Sequence, residues 1–425
     1  MESTDYRSQL SSGDTRINFA GGIVHAVFFR ISVAFAEPTT ILPVYIMLLT
    51  GSKTHVGLLT SVLLAGEVLP TLLFSRLLEP RRRKLPALLV AVFSRAGSWL
   101  AIGLLTWYLG NADPGIIELI LFVLIGVFAL GGSLGGVALM DVVGKVIPDN
   151  RRGLFLGTRQ LLGSLAALGA GLFVGRILAH EDLVVPSNYA VLFLASAAAL
   201  TVAGVGFAIM REPAVPGTMR SEPLGQYLRN SLAILRDDNR LKRYLLIRNL
   251  VGLHRMIVPF YVLYAREILG ASDATVGSYV FLQILGGSLS NVAWARINDY
   301  LGSDRLLQSC TALCTAIPVL ALALGNLSPG FYGAVFLLLG ATINGREMAF
   351  TSYLLDIAPP NRRPTYAGLG STLTAPTLFF PLVGGIVLDW LGYGPVFVGV
   401  AAAVGITAVL ASGLELSRPS PTNDP

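Results

Sequence analysis

Charge is what this 425-residue chain has least of. Asp, Glu, Lys and Arg make up 13% of it, against 53% hydrophobic residues. Soluble domains carry about 25% charged residues, so half of an ordinary water-facing surface is missing. An aqueous core has no room for that much apolar surface, which leaves lipid as the solvent. Cysteine is nearly absent too. Cys310 and Cys314 stand one helical turn apart in an apolar stretch, which excludes a disulfide framework, and two ligands do not make a metal site. No metal or cofactor is expected. There are four histidines, and no H-E-x-x-H, G-x-S-x-G, P-loop or dinucleotide fingerprint, so neither an enzyme nor an ATP-driven pump is indicated. The polar start, Met1 to Asp14, leads into an apolar run with no small-residue cleavage site, so no cleavable signal peptide is expected. The net charge of +6 does not point to nucleic acid, because the basic residues sit in short loops between apolar runs.

What is abundant is membrane-spanning sequence. About 20 apolar residues in a helix cross the hydrocarbon layer, and twelve runs of that size can be marked. They fall at 26–49, 56–78, 85–109, 115–140, 153–178 and 188–209, then at 245–269, 274–298, 305–325, 330–356, 364–388 and 394–414. The 46 glycines and 23 prolines suit such helices. The fold expected is an all-α membrane protein of twelve transmembrane helices in two six-helix bundles, residues 1–210 and 244–425. A polar linker, 211–243, joins them and includes an amphipathic stretch, Leu224 to Leu235, suited to lying along the membrane surface. Basic residues write the orientation. Arg81 to Lys84, Arg151, Arg152, the seven of the linker, Arg305, Arg362 and Arg363 stand on one side, and Lys53 alone on the other. The positive-inside rule puts both termini and the linker in the cytoplasm of a bacterial inner membrane.

The halves are related in sequence. Residues 49–69 and 269–289 align at a constant offset of 220, matching Gly57 to Gly277 and Gly66 to Gly286, with Arg76 to Arg296 beyond them. Asn150-Arg151-Arg152 in the loop after the fourth run matches Asn361-Arg362-Arg363 in the loop after the tenth, and Gly157 matches Gly368. Both matches join corresponding loops on the same side, so the halves are parallel, related by an axis along the membrane normal. On these residues the chain resembles a major facilitator superfamily transporter along essentially its whole length. The family's signature loop, G-x-x-x-D-x-x-G-R-R, appears here as Ser75 to Lys84, with Ser for Gly and Glu79 for Asp. The second half holds a closer copy from Ala295 through Asp299 and Gly302 to Arg305. In the eleventh run Pro381, Gly384 and Gly385 resemble a P-x-x-G-G proton-antiporter signature that the family carries in its fifth helix. The fifth run here lacks the proline, and close helix packing explains the glycines more simply.

A charge at the bilayer centre costs at least about 3 kcal/mol without a partner or water, so embedded charges mark candidates. Glu37-Pro38 lies near the middle of the first run, where the proline predicts a kink beside the carboxylate, and Arg30 lies two turns away on the same face. His254-Arg255 sits at similar depth in the seventh run, and Asn344-Gly345-Arg346-Glu347 in the tenth. The resemblance implies that helices one, four, seven and ten line the central cavity. At the positions matching Asn344 to Glu347 the fourth run has Ser133, Gly135 and Gly136, small residues that let backbones approach or leave room for a ligand. Glu37 reads either as a proton or substrate carrier or as a structural partner of Arg255 or Arg30. Arg346 and Glu347 divide between solute contact and ion pairing, and His254 between a proton relay and a packed histidine. Glu67 and Arg95 are expected to pair with each other or their neighbours.

Toward the cytoplasmic ends Asp141, Lys145, Arg159 and Asp356 cluster, and the resemblance implies latches there between the halves. The gate set is Glu79, Asp141, Arg151, Arg152, Asp299, Arg305, Asp356, Arg362 and Arg363. The function expected is secondary active transport of a small polar, anionic or zwitterionic solute by a monomer, in the lipid bilayer, with protons as the coupling ion. Efflux of a more hydrophobic solute, or a non-transporting receptor or scaffold, stays open as an alternative. A bulky residue at Gly135 should abolish solute uptake into proteoliposomes while leaving the thermal unfolding midpoint within a few degrees of the parent protein.

Overall fold

A computed structural model describes residues 10–109, 114–215, 234–359 and 362–412, and all regular structure among them is helical. In chain order the first half comprises α1 (Ser12–Phe35), α2 (Ile41–Thr50), α3 (Lys53–Val68), α4 (Thr71–Leu78), α5 (Leu85–Leu109), α6 (Pro114–Val146), α7 (Asp149–Leu178) and α8 (Ser187–Ala208). The second comprises α9 (Asn239–Gly252), α10 (Tyr261–Glu267), α11 (Asp273–Leu301), α12 (Ser303–Ala323), α13 (Pro329–Ile357), α14 (Arg363–Leu373), α15 (Phe380–Leu391) and α16 (Tyr393–Ser412). Met140, Trp390 and Ile116 are 79%, 85% and 61% exposed on the outer faces, a surface stable only against lipid. The chain is a multi-pass membrane protein.

Ten helices among the described residues are long and apolar enough to cross a membrane. Helices α11 and α13 are equally long, but Gln283 and Asn291 in one, and Asn344, Arg346 and Glu347 in the other, lower their hydropathy. The first helix starts earlier than its apolar run. Ser11 and Asp14 form a reciprocal cap at its N-terminus, and Asn18 exchanges hydrogen bonds with the backbone of Arg211, so a polar first turn folds as helix. The amphipathic stretch 224–235 lies mostly outside the described residues, and Asn361 of the repeated loop lies outside them too.

Helices break where prolines remove amide donors. The first run splits at Ala36 to Thr40 around Pro38, and the Glu37 carbonyl accepts from the amides of Ile41 and Leu42 at 3.0 and 3.2 Å. Leu69-Pro70 separates α3 from α4, 3-10 turns around Pro259 separate α9 from α10, and a 3-10 turn containing Pro376 separates α14 from α15.

One end of the bundle holds residues 10–16, the linker flanks and residue 412. The contacts that join the halves gather toward the other, distal end. Here α3 packs on α15 and α7 on α11. A Cβ on Gly57 would stand 2.2 Å from the Pro381 carbonyl oxygen, one on Gly385 2.3 Å from that of Lys53, and one on Gly277 2.3 Å from the Gly175 Cα. The repeat-related Gly57 and Gly277 thus each let backbones of opposite halves touch. A second repeat-related pair, Gly66 and Gly286, gives close packing within a half, against the Ala129 side chain of α6 and the Leu337 backbone of α13. Lys53 pairs with Glu267 at 3.1 Å, and Thr54 donates to Asp389 at 2.8 Å.

At the linker end the described polar contacts stay within one half. Glu212 accepts from the Lys84 and Leu85 amides and pairs with Lys145 at 2.9 Å, and Arg211 pairs with Asp14 at 2.5 Å. In the other half Asp238 caps α9 and takes a hydrogen bond from Tyr366. Partial burial alone would raise the Asp238 pKa, but Tyr366 and the Leu241 and Arg240 amides outweigh it and hold the carboxyl below its ordinary value. The molecule is therefore closed at the distal end. Gly277→Val should open that closure: cysteines replacing Lys53 and Glu267 should cross-link at least about tenfold more slowly than in the same pair with Gly277 intact, about 1.4 kcal/mol of bias.

Candidate functional site

One cavity lies between the halves and one within each half. The one at the interface, about 300 Å³, is lined by Arg30, Glu37 and Thr39 of the first span, Gln160 of α7, Gln283 of α11 and Asn344 of α13. The break at Pro38 presents the Glu37 carboxylate to it. Glu37 is buried and accepts from Gln283 Nε2 at 3.0 Å, while the Thr39 hydroxyl stands 3.1 Å from Glu37 Oε1 and 3.0 Å from Gln283 Oε1. This triangle ties the first half to the second. Arg30 donates to Gln160 at 3.3 Å, and Asn344 donates to the Gly287 carbonyl at 3.0 Å.

A second cavity, about 250 Å³, faces the first half and is lined by Arg95 of α5, Arg159 of α7, His25 and Phe29 of α1, and Gly131, Gly132, Gly135 and Gly136 of α6. Arg95 pairs with Glu67 at 3.6 Å and lies 4.1 Å over the Phe128 ring. A Cβ on Gly135 would meet the Ala91 Cβ at 3.3 Å, whereas Gly136 has open space around it. Ser133 is a correction to the expected cavity lining. It is buried and shares a hydrogen bond with Thr71 at 3.1 Å, because its side of α6 faces α4.

The third cavity, about 30 Å³, lies in the second half among Arg248, Arg255, Arg346, Glu347, Thr374 and Thr377. Arg255 donates to Thr377 at 2.9 Å and forms no ion pair with Glu37 among the described residues, so the expected Glu37–Arg255 contact is absent. The reason is register: Arg255 lies in the 3-10 turn after α9 and reaches toward α14 and α15. His254, on the adjacent position, is wholly buried and hydrogen-bonded to Tyr261 at 3.1 Å. It lines none of the three cavities and takes the packed arrangement of its two expected roles.

Of the expected latch residues, none bridges the halves here. Asp141 pairs with Lys84 and Lys145, Arg152 with Asp149 and the Gly144 carbonyl, Asp356 accepts from Ser303, Arg305 donates to Gln308 and Arg363 to the Leu355 carbonyl. Glu79, Arg151, Asp299 and Arg362 form no ion pair among the described residues. This accords with an open linker end. Arg159, expected in that cluster, stands instead in the 250 Å³ cavity over Phe155. Sequence reading missed Thr39, Gln160, Gln283, Arg248 and His25. Gln283 and Arg248 carried a signal, as polar residues inside apolar runs.

Residues 245–425 match the Major Facilitator Superfamily sequence profile. An uncharacterised protein of Mycobacterium tuberculosis is 26% identical over 396 residues, covering 89% of this chain and 73% of its own, and one of Mycobacterium bovis matches equally. Among solved structures, a nucleoside transporter, NupG, shares the fold with a TM-score of 0.71 at 13% identity, covering 93% of this chain and 99% of its own. A bacterial homologue of the iron transporter ferroportin in an inward-facing state gives 0.71 at 14%, covering 95% and 99%. A POT family transporter in complex with 5-aminolevulinic acid gives 0.71 at 12%, covering 92% and 94%. A cysteine placed at Ile343, which is 37% exposed in the interface cavity, should react with an impermeant maleimide from the side that bears the linker and at least about tenfold more slowly from the other.

Proposed function

We propose that this major facilitator superfamily protein, matched in its C-terminal half and in its overall fold, is a proton-coupled secondary active transporter of a small charged solute. Residues 1–210 and 244–425 act as the two moving bodies, joined by the linker 211–243, and the solute site lies between them. The crowd of basic loop residues at the linker end supports a cytoplasmic location for that end and for both termini in a bacterial inner membrane. With the distal end closed, the state described is open toward the cytoplasm.

The observation that carries the reading is the triangle of Glu37, Thr39 and Gln283. Its three contacts need three hydrogens to avoid facing lone pairs. The Thr39 hydroxyl supplies one. The Gln283 amide supplies one, whichever way it is turned, since its oxygen faces the remaining contact. A protonated Glu37 supplies the third, and without it the Thr39 hydroxyl divides its one hydrogen between two acceptors. Ionised, Glu37 leaves the triangle one hydrogen short, with two contacts of about 3 Å sharing a single hydroxyl hydrogen. Protonation therefore strengthens the tie between the halves at the top of the cavity, and loss of the proton weakens it. A group whose charge state biases one of two arrangements is what coupling requires. The other groups facing Glu37 are Arg30, Gln160 and Asn344, so Arg30 is its neighbouring charge in the cavity.

The arginines set the solute's sign. Arg30, Arg95, Arg159, Arg248, Arg255 and Arg346 line the cavities against Glu37 and Glu347. That excess favours an anionic or zwitterionic solute over a hydrophobic cation. Proteoliposomes loaded with a pH dye and challenged with organic acids, amino acids, sugars and drugs test the reading. A solute-dependent pH change is expected. In Glu37→Gln, whose amide carries a permanent N–H, the pH change should vanish while exchange of labelled solute stays within a few-fold. A pH change of parental size in that variant would remove Glu37 from coupling, and solute uptake with no pH change in the parent would mean another driving ion or none.

A further inference from the structure

The three guanidinium groups of the smallest of these cavities share it with one acid, Glu347, and none of them is ion-paired among the described residues. Arg248 comes from α9, Arg255 from the 3-10 turn after it and Arg346 from α13, and among the described residues no carboxylate oxygen lies within 4 Å of any of them. Two are held in place by neutral hydroxyls. Arg248 donates to Tyr244 at 2.7 Å and lies 5.7 Å over the Phe350 ring, and Arg255 donates to Thr377 at 2.9 Å, whose own hydroxyl is anchored to the Thr374 carbonyl at 2.8 Å. Arg346 has no hydrogen-bond partner among the described residues. Glu347 is the single acid in the lining.

Like charges crowded at mid-membrane are unfavourable unless something neutralises them. Partners that fix the forks without neutralising them orient the guanidinium groups and leave their charge to be used. Three arginines against one glutamate leave a surplus of two positive charges. The space, about 30 Å³, holds roughly two water-sized probes, enough for a compact head group and too little for a ring. A dicarboxylate spreads two charges over two heads, whereas a phosphate monoester puts both on one, with three free oxygens for three guanidinium groups. We propose that this pocket is the head-group subsite for a phosphate monoester, whose organic part lies in the open space beside α13. Asn344, one turn from Glu347 on the same helix, lines the interface cavity next to it. The proposal rests on the transport reading for its purpose, though not for its chemistry.

Full-length protein in detergent, followed by tryptophan fluorescence during heating, tests it with phenyl phosphate, benzoate and phenol as probes at pH 7.5. Phenyl phosphate should raise the unfolding midpoint saturably, benzoate at least about tenfold less tightly, and phenol not at all. Arg346→Gln should weaken phenyl phosphate at least about tenfold, and its unliganded midpoint should hold or rise, since one of three crowded charges is gone. Arg346→Lys, which keeps charge and loses the fork, serves if that variant does not fold, and should fall between. Arg176→Gln, a charge change at the distal end of α7, should leave the affinity within twofold. Equal affinity in the Arg346 variants, equal affinity for benzoate, or no saturable shift overturns the subsite. Arginine-dependent binding with neither uptake nor proton movement in vesicles overturns the transport reading instead.

Discussion

Lipid offers a peptide group no hydrogen-bond partner, and the shape of this molecule follows from that refusal. Wherever the chain faces the bilayer it must be helix. Where a proline interrupts the helix, the freed carbonyls must turn to protein or to a water-filled space. The interruptions at Pro38, Pro259 and Pro376 fall in the spans that reach the cavities. The break that presents Glu37 and Thr39, the turn that carries Arg255 and the turn that carries Thr377 are thus one solution used three times.

The two halves use this solution unequally. In the first, α6 gives glycines to its cavity and leaves a roomy wall held by Arg95 and Arg159. In the second, α13 gives Asn344, Arg346 and Glu347 at corresponding positions and fills the space with charge. A duplicated fold has kept its frame while its walls diverged. The cavity of the first half is thus roomy, and that of the second small and densely charged.

Much of the frame was legible in the sequence because burial in lipid is written residue by residue. The runs at 85–109 and 188–209 coincide with α5 and α8 to within a residue. The matched Gly57 and Gly277 became intelligible once both proved to be backbone crossings. The first helix was misplaced because Asp14, Arg16 and Asn18 look like loop, and the Ser11–Asp14 cap together with the contacts of Asp14 and Asn18 with Arg211 explain their helical state. Side-chain partnerships were the least legible. Glu37 and Arg255 lie at similar depth, yet depth says nothing of azimuth, and a turn of 3-10 geometry carries Arg255 away. Gln283 has no charge to betray it, though it is the partner Glu37 uses.

The glycine crossings at the distal end have a further meaning for the cell. A barrier made of long side chains breathes, and each fluctuation admits a water file along which protons hop. Where Gly277 lies on Gly175 and Gly57 on the Pro381 carbonyl, main chain meets main chain, and no rotamer can swing aside to let water through. Such a seam insulates. A carrier that sits in a membrane across which ions are held apart must leak far less than it transports, and a seam of main chain against main chain suits that demand.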